Sequence, residues 1–231
     1  MITKAQGPDE SLSLAEGGDP VLASYYRLMR LKRLYRQGWL KRGVPTRICE
    51  SVAEHSFGTA LLGLLLTAGP SVRGVSGGPA APAASAAEVG SPAPAAPSAP
   101  AGQGLDPVKV VLLALIHEMG ESYAGDITPV DGVSKEEKRR LERAAIERSL
   151  EGLPDGAWFL AQWEDFEQGS SPEARFVREL DRLEMGLEAA LYASEGYAGM
   201  GEFFESSRKV VRDSRLSSIL EEAIAASGAE G

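Results

Sequence analysis

The chain has 231 residues, which is enough for one domain with a buried core, and 43% of them are hydrophobic, as in soluble globular proteins. Its formal net charge of -9 excludes a protein that coats duplex nucleic acid, because such a protein needs excess Lys and Arg to neutralise phosphates. The single cysteine, Cys49, excludes both an intrachain disulfide and a zinc cluster built from thiolates.

The first 19 residues are polar and rich in glycine, without helical or strand periodicity. They contain no apolar stretch of the kind found in signal peptides, so we predict a disordered tail over residues 1–19. The longest apolar runs in the chain, near residues 60–66 and 110–116, are too short to cross a bilayer. We therefore expect a cytoplasmic protein with no membrane association.

Two helices are predicted in the first third of the chain. The first is amphipathic and runs from Val21 to Gly38, where the glycine ends it. A loop with the sequence WLKRGVPTRIC follows. Ser51 and Glu54 then form a capping box, and the helix that this box opens carries His55 in its first turn, before the apolar run SFGTALLGLLL.

Residues 68–104 consist almost entirely of Ala, Pro, Gly, Ser and a few valines. Such a segment cannot bury enough apolar surface to offset the entropy lost on ordering, so we predict a disordered insertion. Neither flank alone supplies a complete core or a complete site. We therefore predict one domain over residues 20–231, which this insertion interrupts.

Helical patterns fill the chain after the insertion. Asp106 and Ser171 each precede a proline and are predicted N-caps, the first of an apolar helix and the second of a long amphipathic helix. Ser134 and Glu137 form a second capping box ahead of a charged helix, and the segment WFLAQWEDFEQ predicts a short aromatic helix. Two short helices complete the chain. Because no segment alternates with a period of two, the predicted fold is all-α, with about seven or eight helices.

The apolar helix after the insertion ends in a cluster of ionisable residues. His117, Glu118 and Glu121 share one face of its end, and Asp126 follows in a turn. Such groups are costly to bury without a partner, and a divalent metal with a hydrolytic water is the simplest partner. The sequence HExxE lacks the second histidine of the HExxH zinc helix, so that type of site is excluded.

The chain contains only two histidines, which excludes a three-histidine site and a dinuclear iron site. The remaining possibility combines His55 and His117 with two carboxylates, Glu118 beside His117 and Asp181 on the long helix. This donor set suits Mn²⁺, Co²⁺, Fe²⁺, Mg²⁺ or Zn²⁺ and leaves positions for water and substrate. Glu121, near the metal but not a ligand, is the candidate general acid or base. The alternative for Asp181 is an exposed residue paired with a neighbouring arginine.

The order of these segments resembles that of a known family. The matching segments are GWLKRGV, ESVAEHSFG, LALIHEMGESYAGDITP, VSKEEKRRLE and ARFVRELDRLEM, which cover roughly residues 25–66 and 106–210. The pattern is similar to that of the HD-domain phosphohydrolases, whose ligands follow the order H…HD…D. Within that family it most resembles the bacterial 5'-deoxynucleotidases and their eukaryotic relatives, the HD-domain-containing protein 2 group.

The resemblance implies a helical HD-domain bundle and a role for each matching residue. His55, His117 and Asp181 stand at positions of metal ligands, and Glu121 at that of the catalytic glutamate. Glu118 stands where the family has the aspartate of its HD pair. Its side chain is one methylene longer, which can move the ligand oxygen by about 1 Å. Glu118 either ligates after a slight adjustment of the helix, selects a different metal, or marks a site that has lost catalysis.

The resemblance also implies a substrate side of the site. Asp126 matches a residue near the sugar that favours deoxyribose, so it is a candidate for catalysis and for binding; the alternative is a turn aspartate ahead of Thr-Pro. Trp39 lies near the position of a tryptophan that contacts the sugar, and its alternative is core packing. Arg42 and Arg47 are candidates for holding the phosphate, or belong to a solvated loop.

By resemblance, the expected function is metal-dependent hydrolysis of (deoxy)nucleoside 5'-monophosphates to nucleoside and phosphate. Two alternatives remain: the same chemistry on another small phosphate ester, and a regulatory or assembly protein that kept the scaffold without catalysis. The family also implies a homodimer, for which the aromatic segments around Trp158 to Phe166 and Phe203-Phe204 are candidate interfaces. The expected small-molecule partner is a nucleotide.

Overall fold

The computed structural model describes residues 18–68 and 101–228, which form an all-α bundle and confirm the predicted fold class. Within these two stretches no β-strand occurs, and the extended chain forms a single isolated bridge between Tyr35 and Ser51. The α-helices are α1 (Pro20–Leu28), α2 (Gln37–Lys41), α3 (Val52–Thr67), α4 (Pro107–Ile116), α5 (Glu121–Ala124), α6 (Lys135–Ser149), α7 (Gly156–Gln168), α8 (Pro172–Ser194), α9 (Gly201–Val210) and α10 (Ser214–Ala226). Two short 3-10 helices span Met29–Arg33 and Pro129–Asp131.

The long helix α8 lies at the centre of the bundle. It packs against α3, α4, α7, α9 and α10, and Val177, Leu180 and Leu183 on its buried face are fully excluded from solvent. Helices α3 and α4 also pack closely against each other. This arrangement brings the first turn of α3, the end of α4 and the middle of α8 to one place.

The prediction of one helix from Val21 to Gly38 is wrong. Helix α1 stops at Leu28, and the chain becomes extended after the 3-10 helix, because it pairs with the segment ahead of α3. Val52 N donates to the Leu34 carbonyl at 2.8 Å, and Arg36 N donates to the Glu50 carbonyl at 3.0 Å. Helical periodicity in the sequence carries no signal for such hydrogen bonds between distant segments.

The predicted helix caps are mostly confirmed. Ser51 and Glu54 form a reciprocal capping box, since each backbone N–H donates to the other's side chain, at 2.7 and 3.2 Å. Asp106 accepts hydrogen bonds from the first turn of α4. Ser134 accepts a bond from the backbone N–H of Glu137, but the Glu137 carboxylate binds Arg140 instead of completing the box.

The predicted tail and insertion lie largely outside the described residues, which exclude 1–17 and 69–100. The last four residues of the predicted insertion, 101–104, are described, and they form a turn. Ala101 is 2% exposed, and Gly102 lies close to the Phe176 ring of α8. Residues 101 and 102 therefore pack against the core, because the α8 side chains offer an apolar surface there.

Candidate active site

The junction between α4 and α5 carries the cluster of ionisable residues. Helix α4 ends at Ile116 rather than continuing to Glu121, and residues 117–120 form a turn before the single turn of α5. Gly125 ends α5 with φ +83° and ψ 165°, a backbone conformation that is essentially restricted to glycine. This glycine directs the following residue, Asp126, back toward the cluster.

The four residues predicted as ligands come together at this junction. One ligand atom from each of His55, His117, Glu118 and Asp181 lies within 4.8 Å of the other three. His55 Nε2 is 3.4 Å from His117 Nε2 and 3.2 Å from Asp181 Oδ1. Glu118 Oε1 lies 3.6 Å from His117 Nε2 and 3.8 Å from His55 Nε2. We call these four residues the ligand group.

His117 is held in one tautomer by the end of α4. Its Nδ1 lies 2.7 Å from the Ala114 carbonyl oxygen, which can only accept, so Nδ1 carries the proton and Nε2 presents a lone pair to the ligand group. Burial lowers the pKa of His117 and favours this neutral form. Trp163 of α7 donates to the His117 carbonyl, and the Phe166 ring packs against the imidazole. The predicted aromatic helix thus supports the site.

Carboxylates face both ring nitrogens of His55, which is fully buried. Glu184 Oε2 lies 2.5 Å from Nδ1, and Asp181 Oδ1 lies 3.2 Å from Nε2. Burial and the charge of Arg36 act to lower the pKa of His55, but these two carboxylates outweigh them and raise it to about 10. A carboxylate on the outer nitrogen of a metal-binding histidine fixes the orientation of the ring. Glu184, which the sequence analysis missed, is placed for this role.

Asp181 faces the ligand group from α8, with its side chain 13% exposed. Burial opposes ionisation of this carboxyl, but the charge of Arg182 and the hydrogen bond with His55 hold its pKa far below the usual range. The alternative for Asp181 was an exposed residue paired with an arginine. Asp181 does contact an arginine, since Arg182 Nε lies 3.5 Å from its Oδ2, but its other carboxylate oxygen contacts His55.

Arg36 is a charged partner that the sequence analysis also missed. Its Nη1 lies 3.0 Å from Glu118 Oε1 and 3.8 Å from Asp126 Oδ1, and its side chain is 13% exposed. Burial acts to lower the pKa of Arg36, but the charges of Asp126 and Glu118 raise it well above its usual value. The predicted amphipathic helix would have placed Arg36 on its basic face, in contact with solvent. The extended segment around Tyr35 brings it to the site instead.

The charge of Glu118 is balanced by its neighbours. Burial acts to raise the pKa of Glu118, but His117, Arg36 and His55 together lower it to about 2. The side chain is 14% exposed and is thus the ligand-group member most open to solvent. Glu118 is therefore an ionised carboxylate within the ligand group, and its Oε1 atom also contacts Arg36.

Glu121 lies at the first position of α5 and is 1% exposed. Its Oε2 atom is buried without a hydrogen-bond partner among the described residues. Lys138 of α6 is the nearest cation, with Nζ 3.8 Å from Glu121 Oε1 and 3.3 Å from Glu142 Oε1. Burial, followed by the charges of Glu118 and Asp126, raises the pKa of Glu121 well above its usual value. A buried carboxyl with a raised pKa and a free oxygen is typical of a general acid or base.

Asp126 is anchored to the segment that carries Arg36. Its Oδ2 accepts the backbone N–H of Gln37 at 2.5 Å, and its Oδ1 faces Arg36. Asp126 therefore lies in the turn ahead of Thr128 and also interacts with the charged residues of the site.

Trp39 lies in the core, which agrees with the alternative of core packing. Its side chain is 1% exposed and lies between the rings of Tyr192 and Phe203. The indole Nε1 donates to Glu50 Oε2 at 3.0 Å, while Glu50 Oε1 lies 3.8 Å from His55 Nδ1. Trp39 thus positions Glu50, which in turn lies beside the Nδ1 atom of His55.

The two predicted phosphate-binding arginines lie elsewhere. Arg42 pairs with Glu202 of α9 and contacts Phe203, so the structure does not place it in the ligand group. Arg47 is exposed and lines a cleft on the Nδ1 side of His55. Both predictions rested on the position of the loop and on the family resemblance, whereas the structure places Arg42 against α9 and Arg47 at this cleft.

The ligand group fits a divalent metal ion. Ligand atoms about 2.0–2.2 Å from one ion lie within roughly 4.4 Å of each other, so the four atoms need only a small inward movement. Two imidazole nitrogens and two carboxylate oxygens suit Mn²⁺, Co²⁺, Fe²⁺, Mg²⁺ or Zn²⁺. Glu121 follows Glu118 by three residues, and its Oε2 is a buried polar atom whose hydrogen-bonding capacity is unused among the described residues.

Comparison with known proteins agrees with this geometry. The family model for the HD domain matches residues 95–223, more than half of the chain. The 5'-deoxynucleotidase HDDC2 of Xenopus laevis is 31% identical over 182 residues, which cover 78% of this chain and 73% of that protein. The protein of the same name from Dictyostelium discoideum is 30% identical over 186 residues, which cover 78% and 83% of the two chains.

Solved structures share the fold. A protein from Pyrococcus horikoshii OT3 superposes with a TM-score of 0.61 and 27% identity, over 89% of this chain and 96% of that chain. A protein described as a predicted metal-dependent phosphohydrolase from Magnetospirillum magnetotacticum MS-1 superposes with a TM-score of 0.59. It is 21% identical and covers 96% of this chain and 95% of its own, which is a likeness of fold alone.

Proposed function

Because this chain belongs to the HD-domain family, we propose that it is a metal-dependent phosphomonoesterase that converts (deoxy)nucleoside 5'-monophosphates to nucleoside and phosphate. The observation that carries the proposal is the convergence of two imidazoles and two carboxylates beside the buried Glu121. The names of the relatives from Xenopus and Dictyostelium support the substrate class.

The proposed ligands are His55, His117, Glu118 and Asp181. A divalent ion held by them would bind a phosphoryl oxygen and lower the pKa of water. Glu121 serves as general base and acid, since its Oε2 is buried without a hydrogen-bond partner among the described residues and burial raises its pKa.

The substrate side consists of Arg36 and Asp126. Arg36 is a buried guanidinium next to the ligand group, which is a geometry suited to phosphate oxygens. We assign to Arg36 the phosphate-binding role that the family resemblance implies for Arg42. Asp126 orients Arg36 and faces the sugar.

Phosphate release from a panel of phosphate esters tests the proposal. The panel contains deoxynucleoside 5'-monophosphates, ribonucleoside 5'-monophosphates and simple esters, each with Mn²⁺, Co²⁺, Mg²⁺, Fe²⁺ or Zn²⁺. The proposal requires turnover of the deoxynucleotides with at least one metal. Turnover of another ester only would reassign the substrate. Absence of both turnover and metal binding would leave a non-catalytic scaffold protein.

A matched pair of variants tests the phosphate cation. Loss of a charge-assisted hydrogen bond costs roughly 1.5–3 kcal/mol, so Arg36→Gln is expected to reduce kcat/KM by about 10- to 100-fold. Arg42→Gln removes the same charge from a residue bound to Glu202, and it is expected to stay within threefold of wild type. Equal effects of the two substitutions would contradict the assignment.

We also propose a homodimer, formed through α3 rather than through the aromatic segments. Trp163, Phe166 and Phe204 are buried in the core, and of the aromatic side chains in these segments Trp158 alone is largely exposed, at 49%. Helix α3 instead exposes an apolar ridge, in which the exposed fractions run from 42% to 68%; its members are Phe57, Leu61, Leu64 and Leu65.

The α3 ridge suits a second copy of this chain. Its four residues share one helix face, opposite the face that buries His55. Between residues 56 and 67 this helix carries no charged side chain, so two ridges meet without burying a charge. Leu65→Glu is expected to give a monomeric mass in solution, while Leu191→Glu, at a residue 51% exposed on α8, keeps the wild-type mass. A monomeric wild type would refute the dimer.

We keep the cytoplasm as the proposed location. Among the described residues no helix is long and apolar enough to cross a membrane.

A further inference from the structure

A single carboxylate oxygen, Glu118 Oε1, has two different neighbours. On one side it faces the imidazole nitrogens of His117 and His55, at 3.6 and 3.8 Å. On the other side it accepts a hydrogen bond from Arg36 Nη1 at 3.0 Å. The atom proposed as a metal ligand is therefore already paired with a cation.

Two cations on this oxygen are unfavourable together. An ion bound about 2.0–2.2 Å from Oε1 would bring a double positive charge close to the guanidinium in a site with little solvent. Like charges repel more strongly in such a place than in water. The side chains of Arg36 and Glu118 are only 13% and 14% exposed, so water screens them little.

Arg36 has a second acceptor within reach. Asp126 Oδ1 lies 3.8 Å from Nη1, and Asp126 is held in place because its Oδ2 accepts the Gln37 N–H. The Arg36 backbone is fixed, since its N–H donates to the Glu50 carbonyl at 3.0 Å. A small rotation of the side chain alone therefore takes the guanidinium from Glu118 to Asp126.

We propose that Arg36 is a placeholder cation, which pairs with Glu118 Oε1 until a divalent ion takes that oxygen and then moves to Asp126. The inference rests on the proposed function, because it needs the ligand group to bind a metal. The extra methylene of Glu118 gives the carboxylate the reach to meet Arg36 and the imidazoles with one oxygen. Metal affinity is thus lowered by the ion pair that must be broken, and the arginine is released toward the substrate side once the metal binds.

Metal titration against a chelating indicator, without phosphate, tests the exchange. Arg36→Gln removes the competitor and is expected to bind Mn²⁺ or Co²⁺ about tenfold more tightly than wild type, within the usual range of coupling between sites. Lys138→Gln is the matched control, since it removes a cation that contacts Glu142 and Glu121 directly and acts on Glu118 only through its charge at longer range. It is expected to tighten binding less than threefold. An Arg36→Gln effect no larger than the control, or a weakening, would overturn the proposal.

A double-mutant cycle with Glu118→Asp assigns the effect to this ion pair. The shorter carboxylate cannot span both partners, so Arg36→Gln and Lys138→Gln are expected to change metal affinity equally in that background. If Arg36→Gln still tightened metal binding more than Lys138→Gln in that background, by the same factor as in wild type, the role of the longer Glu118 side chain would be contradicted. Wild-type protein that binds no divalent ion would instead remove the proposed function, so the two failures are distinct.

Crystal structures with and without the ion provide a direct view. The proposal expects the distance from Arg36 Nη1 to Asp126 Oδ1 to shorten from 3.8 Å to hydrogen-bonding range when the ion is bound, while the 3.0 Å contact with Glu118 opens. A metal-bound structure that keeps the 3.0 Å contact would show that Arg36 and the ion share Glu118 without exchange.

Discussion

Gly120 sets the distance between the α4–α5 junction and α6, and its replacement by alanine should be costly. A Cβ at this position would lie 2.5 Å from the Cβ and 3.0 Å from the Cα of Glu142, so α6 itself would have to move. Overpacking of this kind costs roughly 1–3 kcal/mol. The smaller entropy of the unfolded alanine chain offsets about 0.4–1 kcal/mol. We therefore expect Gly120→Ala to lower the free energy of unfolding by about 1.3 kcal/mol, within a range of roughly 0–2.6 kcal/mol.

Urea unfolding and metal titration measure the effect, with Gly201→Ala as the control. Gly201 begins α9, and a Cβ there would meet no atom within 4 Å, so this variant is expected to be neutral or stabilised by about 0.4–1 kcal/mol. Because Gly120 lies between Glu118 and Glu121, Gly120→Ala should also weaken metal binding, whereas Gly201→Ala should not. Equal stability of the two variants would refute the close packing of this junction against α6.

Three further outcomes follow from the structure. Trp39→Phe removes the donor to the buried Glu50 and should cost about 1–3 kcal/mol of unfolding free energy, with KM within twofold of wild type; a raised KM at unchanged stability would restore Trp39 as a substrate contact. Gly125→Ala should cost roughly 1–3 kcal/mol, since its φ of +83° and ψ of 165° exclude a side chain; urea unfolding beside Gly201→Ala checks this. Burial raises the pKa of the Cys49 thiol to about 12, so at pH 8 the reactive thiolate is scarce and iodoacetamide should label the folded protein far more slowly than the protein in urea; equal rates would contradict it.

The all-α class and most helix ends could be predicted because their causes are local. Ser51, Asp106 and Ser171 each bind the backbone of the helix that follows them in the sequence. The apolar spacing along α8 likewise follows from burial of one helix face. The break after Leu28 could not be predicted, because its cause is pairing with residues 50–52, which a pattern within one segment does not contain.

The ligand group was predictable for a different reason. The chain has only two histidines, and each stands at the edge of a helix with a long apolar run, so His55 and His117 were clear candidates. Arg36, Glu184 and Lys138 were not, since each lies in a sequence rich in similar charges and reaches the site only through the fold. Arg42 is the opposite case. It lies near His55 in the sequence, but the fold pairs it with Glu202 and does not bring it to the ligand group.

Metal content of the purified protein and its His117→Ala variant tests the central claim most directly. After dialysis against the activating ion, elemental analysis of wild type is expected to give one ion per chain and phosphate release from a deoxynucleoside 5'-monophosphate. His117→Ala removes the nitrogen whose lone pair faces the other ligands, so we expect loss of the ion and a rate reduced by more than about 100-fold, beyond the usual effect of an outer-shell change. A variant that keeps the ion and the activity would contradict the account.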